Sequence, residues 1–176
     1  MALKPTIYKF KIMVSDLDRE HYEALNLTVA QHPSETLERM LVRVLAYCLN
    51  VQERLVFTKG LSAVDEPDLL VKTLDDQLAL WIDVGEPAVD RIKKATRLTS
   101  AVKVYSFNAK SSSWWTQNQA LFEKLNVSIY QFQCPQIQAL AKQVQRTMDF
   151  SLTITSGTMY ISTATGESEV SWSELQ

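Results

Sequence analysis

Pro67-Asp68 opens one strand-like run and Asp83-Val84-Gly85 closes the next, so two carboxylates lie 15 positions apart on what reads as one β-hairpin. The first run covers residues 68–73, the turn is Leu74-Asp75-Asp76-Gln77, and the second run covers 78–83. Antiparallel pairing sets the start of one strand beside the end of the other. The spacing therefore predicts that Asp68 and Asp83 approach closely enough to share a hard cation. Oxygen donors suit magnesium, which is commonly held by one or two carboxylates together with waters and substrate phosphates. Such an ion activates a water and stabilises charge on a phosphodiester. Gly85 stands where a lysine would complete that site.

The elements that must position this hairpin are legible from periodicity. Tyr8, Phe10, Ile12 and Val14 alternate with Lys9 and Lys11, the pattern of a half-buried strand over 6–14. A second strand is expected over 25–30, followed by His32-Pro33-Ser34 and a helix to about Asn50 with Ser34 as its N-cap. Glu35 and Glu38 then sit near the positive end of the helix dipole. Leu37, Met40, Leu41, Val44, Leu45 and Cys48 recur at helical spacing as one apolar stripe. Residues 54–58 read as a short strand ended by Lys59-Gly60, ahead of the carboxylate hairpin. Pro87 suits the first turn of a helix, whose inner face carries Val89, Ile92 and Ala95. A strand over 102–107, a helix over 111–125, a strand over 127–132 and a helix over 135–146 follow. Two β runs at 150–155 and 158–162, and a third at 169–172, end the chain. A mixed α/β sandwich around one main sheet is the packing this order predicts, as a single domain spanning 1–176.

Composition narrows the class. Of the 176 residues, 46% are hydrophobic and 22% charged, with four glycines and five prolines, which leaves little room for long flexible linkers. A net charge of −2 means that any contact with nucleic acid must use a local basic patch. Cys48 and Cys134 form no CxxC pattern, and Cys48 falls in an apolar helical run that favours a buried thiol. No apolar stretch reaches the ~18 residues of a membrane span, and the N-terminus lacks the apolar core of a secretion signal. A cytoplasmic protein is expected.

The order helix, three strands, helix, strand, with Pro67-Asp68 and Asp83-Val84-Gly85 on the central hairpin, resembles the PD-(D/E)XK nuclease superfamily. More closely, the chain resembles the YaeQ family of bacterial proteins, which that resemblance places on a variant of the nuclease fold. The segments that carry it are His32-Pro33-Ser34-Glu35-Thr36, Glu38-Arg39-Met40, Phe57-Thr58-Lys59-Gly60-Leu61 and Asp65-Glu66-Pro67. They continue with Trp81-Ile82-Asp83-Val84-Gly85-Glu86-Pro87, Arg91-Ile92-Lys93-Lys94-Ala95 and Trp114-Trp115-Thr116-Gln117-Asn118. The resemblance covers nearly the full length. It implies a fold of mixed α/β type, a PD-(D/E)XK nuclease-like core with additional β strands at both ends.

Carried over by motif, Asp68 and Asp83 are the metal-binding carboxylates, Val84 adds a backbone carbonyl oxygen, and Glu38 matches a further acid on the preceding helix. Magnesium, with manganese as substitute, is the implied cofactor. The lysine missing at Gly85 has three candidate replacements. With Ile92 at the centre of the buried face, Lys93 lies about 100° away and Lys94 about 200°. Lys93 can therefore reach along the sheet with its aliphatic stem, whereas Lys94 faces water and can pair with Asp90 at i,i+4. Lys59, at the end of the neighbouring strand, is the third.

Trp114 and Trp115 could stack bases, although adjacent helical residues diverge by about 100° and one buried, one bordering tryptophan is the commoner arrangement. His32, Ser34 and Glu35 are close in sequence, but a hydrolytic triad is recognised by geometry. No P-loop, dinucleotide fingerprint, nucleophile elbow or zinc-spaced set occurs. The expectation is a metal-dependent phosphodiesterase, a nuclease acting on DNA or RNA through Asp68, Asp83 and a relocated lysine. The alternative is a noncatalytic nucleic-acid-binding or transcription-related regulatory protein that keeps the fold without the motif lysine.

Overall fold

The computed structural model describes residues 3–59, 61 and 63–176. Gly60, read above as the end of a strand, lies outside the described residues. The chain divides into two compact units, one formed by 1–49 with 132–172 and the other by 50–131 with 173–176.

The first unit contains β1 (Thr6–Asp16), β2 (His21–Gln31), α1 (Leu37–Leu49), α4 (Cys134–Ala141), β8 (Thr147–Thr155), β9 (Thr158–Thr163) and most of β10 (Gly166–Glu174). β1 and β2 pair antiparallel with Phe10 opposite Leu27 and Ile12 opposite Leu25. The period-2 alternation fixes this register, because a slip of one residue would turn every apolar side chain to water. Phe10, Ile12, Val14, Leu25, Leu27 and Val29 are buried, as are Phe150, Leu152 and Ile154 of β8. β2 is longer than its apolar residues alone suggested, since antiparallel pairing with β1 continues to His21 opposite Asp16. α1 packs on α4, and it is buried all round: Val42, Arg43 and Ala46 join the expected stripe, while Leu37 is half-buried. Its start also differs from expectation. Thr36 caps it, accepting the Arg39 N–H at 3.2 Å, because Ser34 is drawn instead to His32 Nδ1 at 2.7 Å.

The second unit contains β3 (Val56–Phe57), β4 (Leu69–Lys72), β5 (Leu78–Val84), α2 (Val89–Leu98), β6 (Val102–Ser106), α3 (Ser111–Phe122) and most of β7 (Ser128–Phe132). β4 and β5 form the antiparallel hairpin, Leu69 opposite Ile82. Its turn is closed by the Thr73 N–H on the Gln77 carbonyl, with Asp76 at φ +64°. An aspartate tolerates that left-handed conformation better than most residues. β5, β6 and β7 run parallel, each joined to the next through a helix, as parallel neighbours require. Trp81, Ile92, Ala95, Val102, Val104, Phe122, Val127 and Ile129 form the core on the helix-facing side.

The strands are hydrogen-bonded in the order β2-β1-β8-β9-β10-β7-β6-β5-β4-β3, ten in all among the described residues, and with four helices the fold is a mixed α/β one. This corrects the expected PD-(D/E)XK nuclease-like core, which is an open sheet with flanking helices. The physical reason lies in the chain ends. The β runs expected as additions at both ends pair with each other, β1 lying parallel to β8 with Lys9 opposite Thr147. They make half of the ladder.

Candidate functional site

Asp68 precedes β4 and Asp83 ends the apolar run of β5, and the strand register places them side by side. The Asp68 N–H donates to the Ile82 carbonyl at 2.9 Å, and the Asp68 carboxylate accepts the Val84 N–H at 2.7 Å. Val84, expected to offer its carbonyl to a metal, thus presents its N–H to the first carboxylate. Both aspartates are buried, at 4% and 2% exposure. Thr58 secures the approach to β4, its N–H on the Asp68 carbonyl at 3.1 Å and its hydroxyl on the Pro67 carbonyl.

The cation at this pair is Arg91. Its guanidinium forks onto Asp83, Nε to Oδ2 at 2.7 Å and Nη2 to Oδ1 at 3.2 Å. Planar, bidentate pairing of this kind is the strong form of an ion pair. The same group donates to the carbonyls of Val64 and, at 2.7 Å, Glu66, and it lies 5.5 Å from the centre of the Trp81 ring, within cation–π range. Burial pushes the Asp83 carboxyl above its ordinary range, the Arg91 hydrogen bond and charge oppose that shift, and the Asp68 charge adds to it.

Lys93 and Lys94 are both exposed. Helical phase could not have chosen between neighbours of Ile92: Arg91 and Lys93 flank it symmetrically, about 100° to either side. The strand end bearing Asp83 decides for Arg91. Lys94 makes no ion pair with Asp90 among the described residues. Glu38 occupies the first turn of α1 in the other unit, half-buried. Gly85 has φ +112°, a conformation that a lysine would adopt only under strain, so the backbone there is built for glycine.

Other polar groups escaped the sequence reading. Glu86 accepts the Asn108 N–H at 2.9 Å, the Asn108 side-chain amide at 2.8 Å and the Ser111 hydroxyl, which places a carboxylate at the start of α3. Glu35 is buried between Arg43, at 2.6 Å, and Arg39, at 2.6 Å, and Arg43 also reaches the Ala30 carbonyl at 2.8 Å. Glu35 is thus a buried structural anion, whereas His32 and Ser34 form a local surface contact. Trp114 and Trp115 are both half-buried and pack on Phe122, with ring centres 5.2 and 6.2 Å away. The Trp114 indole N–H donates to the Pro87 carbonyl at 3.0 Å. Through these contacts the tryptophans join α3 to the core and to the start of α2.

The family model described as YaeQ protein matches residues 1–172. The chain belongs to the YaeQ family. It is 40% identical over 172 residues to the YaeQ protein of Salmonella typhi, covering 97% of this chain and 95% of that one. It is 38% identical over 178 residues to that of Escherichia coli K12, covering 100% and 98%. Among solved structures, it superposes on YaeQ from Xanthomonas axonopodis pv. citri with a TM-score of 0.94 at 32% identity, covering 98% of both chains. YaeQ from Pseudomonas syringae gives 0.92 at 38% identity, covering 98% of this chain and 96% of that one.

Membership of the YaeQ family therefore stands, and the placement of this chain on a nuclease-like fold does not. The expected nuclease chemistry is corrected with it. Among the described residues, no group of three or more His, Cys, Asp or Glu side chains converges to hold a metal ion. Both Asp83 oxygens accept hydrogen bonds from the Arg91 guanidinium. Nothing in this YaeQ-family site supports phosphodiester hydrolysis. Among the described residues, no helix is long and apolar enough to cross a membrane.

Proposed function

We propose that this YaeQ-family protein is a binding protein of the bacterial cytoplasm that engages a polyanionic partner through the exposed face of α2. The observation that supports the reading is charge segregation. Between Asp90 and Glu123 the chain carries Arg91, Lys93, Lys94, Arg97, Lys103 and Lys110 and no acidic residue, in a protein whose net charge is −2. Two of these cations are already committed: Arg91 to Asp83, and Lys103 to Asn50 Oδ1 at 2.7 Å. Lys93, Lys94, Arg97 and Lys110 are exposed. On α2, Arg97 lies at i+4 from Lys93 and i+3 from Lys94, so the three share one helical face.

Such a face attracts anionic macromolecules by counterion release, which needs no base-specific contact. DNA or RNA supplies the matching chemistry, and α3 exposes the uncharged polar groups of Ser112, Ser113, Thr116 and Gln117. On this reading the Asp68–Asp83–Arg91 cluster is structural. It ties the hairpin, α2 and the 64–66 segment together.

Fluorescence anisotropy with labelled single-stranded DNA, duplex DNA and RNA tests the proposal. Binding that weakens with added salt and disappears in the Lys93→Glu/Lys94→Glu/Arg97→Glu protein is the expected result. Absence of salt-dependent binding to all three probes removes it.

A further inference from the structure

In the first unit, the solvent-facing side of the sheet carries a groove of about 560 Å³ across β2, β1, β8 and β9, lined in part by Lys11, Met13, Asn26, Asp149, Ser151 and Ser162. A second hollow of about 240 Å³ adjoins it and shares Asp149, Thr163 and Ala164. The groove exists because short side chains occupy its floor. In one cross-strand row, Ala24 stands opposite Met13, Met13 opposite Ser151 and Ser151 opposite Ser162. The next row on the same face reads Tyr22, Ser15, Thr153, Tyr160, with the two rings on the outer strands and two small residues between them. Tyr22 and Tyr160 are 62% and 49% exposed.

Lys11 and Asp149 stand opposite each other across β1 and β8, yet they are not among the ion pairs of the described residues. One ammonium, one carboxylate, one carboxamide and two hydroxyls thus face solvent over a small area. The charges cancel, which disfavours a polyphosphate or a polyanion here. The lining sets these polar groups beside Met13, Ala24 and Ala164, so a fitting ligand offers C–H surface as well as replacements for the hydrogen bonds that desolvation removes. A neutral ligand rich in hydroxyls satisfies every requirement. It donates to Asp149, accepts from Lys11, exchanges both with Asn26, Ser151 and Ser162, and lays its C–H faces against Met13 and Ala24. The volume falls within the roughly 300–1,000 Å³ of small-molecule sites.

We propose that this groove is a carbohydrate-binding site for an uncharged saccharide. It is independent of the cationic face of α2 and survives if that reading fails. Saturation-transfer NMR and titration calorimetry with glucose, N-acetylglucosamine, trehalose, cellobiose and maltotriose test it on the full-length protein. At least one saccharide should bind saturably, with saturation passing from the protein to its C–H protons. Asn26→Ala/Asp149→Ala should weaken that binding by roughly tenfold or more, the scale of losing a charge-assisted hydrogen bond. Ser151→Trp, an exposed change that fills the floor, should abolish binding with the thermal midpoint maintained. No saturable binding by any of the five overturns the proposal, and so does binding that both folded variants retain unchanged.

Discussion

At the residue scale, the decisive fact is that an arginine completes the carboxylate pair. Asp83 is almost fully buried and Arg91 supplies its counter-charge, so removing the cation leaves an uncompensated anion in the interior. We expect Arg91→Met to lower unfolding free energy by about 3–5 kcal/mol, the range for breaking one side of a buried pair. Asp83→Asn/Arg91→Met should recover part of that loss, and denaturant titration of the four proteins of the cycle measures how much. The same carboxylate sets a pH dependence. Its folded pKa is raised, chiefly by burial, so the folded state binds the proton more readily than the unfolded chain. Its contribution is fully present below the unfolded value near 4 and is lost as pH rises through the folded value. Asp83→Asn should flatten that slope, and Arg91→Met should move it to higher pH. Carboxyl-carbon NMR titration of Asp83 reads the shift directly. A third residue was readable from sequence alone. Cys48 lies in the apolar run, and burial pushes its thiol up to about 12, so a thiol reagent should modify it only after denaturation, whereas the part-exposed Cys134 should react in the native protein.

At the scale of elements, periodicity located most strands and helices but could not assign their polar ends. The carboxylate hairpin was legible because its apolar runs bracket a turn rich in aspartate. Arg91 was not, because phase places it and Lys93 equally near the buried face, and only the tertiary position of Asp83 separates them. The cap of α1 was misplaced for a similar reason: Ser34 and Thr36 both suit an N-cap, and His32 takes the serine. Glu86 had no sequence signature at all. It follows a glycine, precedes a proline, and reaches 22 to 25 positions ahead to Asn108 and Ser111. A carboxylate at the start of α3 is favoured by the helix dipole as well as by its hydrogen bonds. Glu86→Ala should therefore cost about 1.5–3 kcal/mol, the value of hydrogen bonds to a charged group. Glu86→Gln should cost less, because it keeps acceptor geometry at one oxygen. Hydrogen exchange at the first amides of α3 would localise the effect, and unchanged protection there in Glu86→Ala would remove it from that role.

At the scale of the whole molecule, what sequence concealed was strand partnership. The order from α1 to β7 suggested a nuclease core because local runs reveal which residues face inward, not which strand lies alongside. Lys9 pairs with Thr147 across most of the chain, and no window of local periodicity spans that distance. Charge distribution, by contrast, is a property of the sequence that folding only has to expose, and it yields the last expectation. If Lys93, Lys94 and Arg97 each neutralise one phosphate, the logarithm of affinity for duplex DNA should fall against the logarithm of salt concentration. The slope is about −0.9 for each contact, or roughly −2.7 for the three together. Lys93→Gln, Lys94→Gln and Arg97→Gln should each make the slope less steep by about 0.9 while leaving the midpoint of unfolding in place, since all three side chains are exposed. A slope that stays the same in the triple glutamine protein would show that the anion binds elsewhere. Equal effects of all three on two unrelated duplex sequences would mark the contact as one with the backbone, because phosphates carry no base identity.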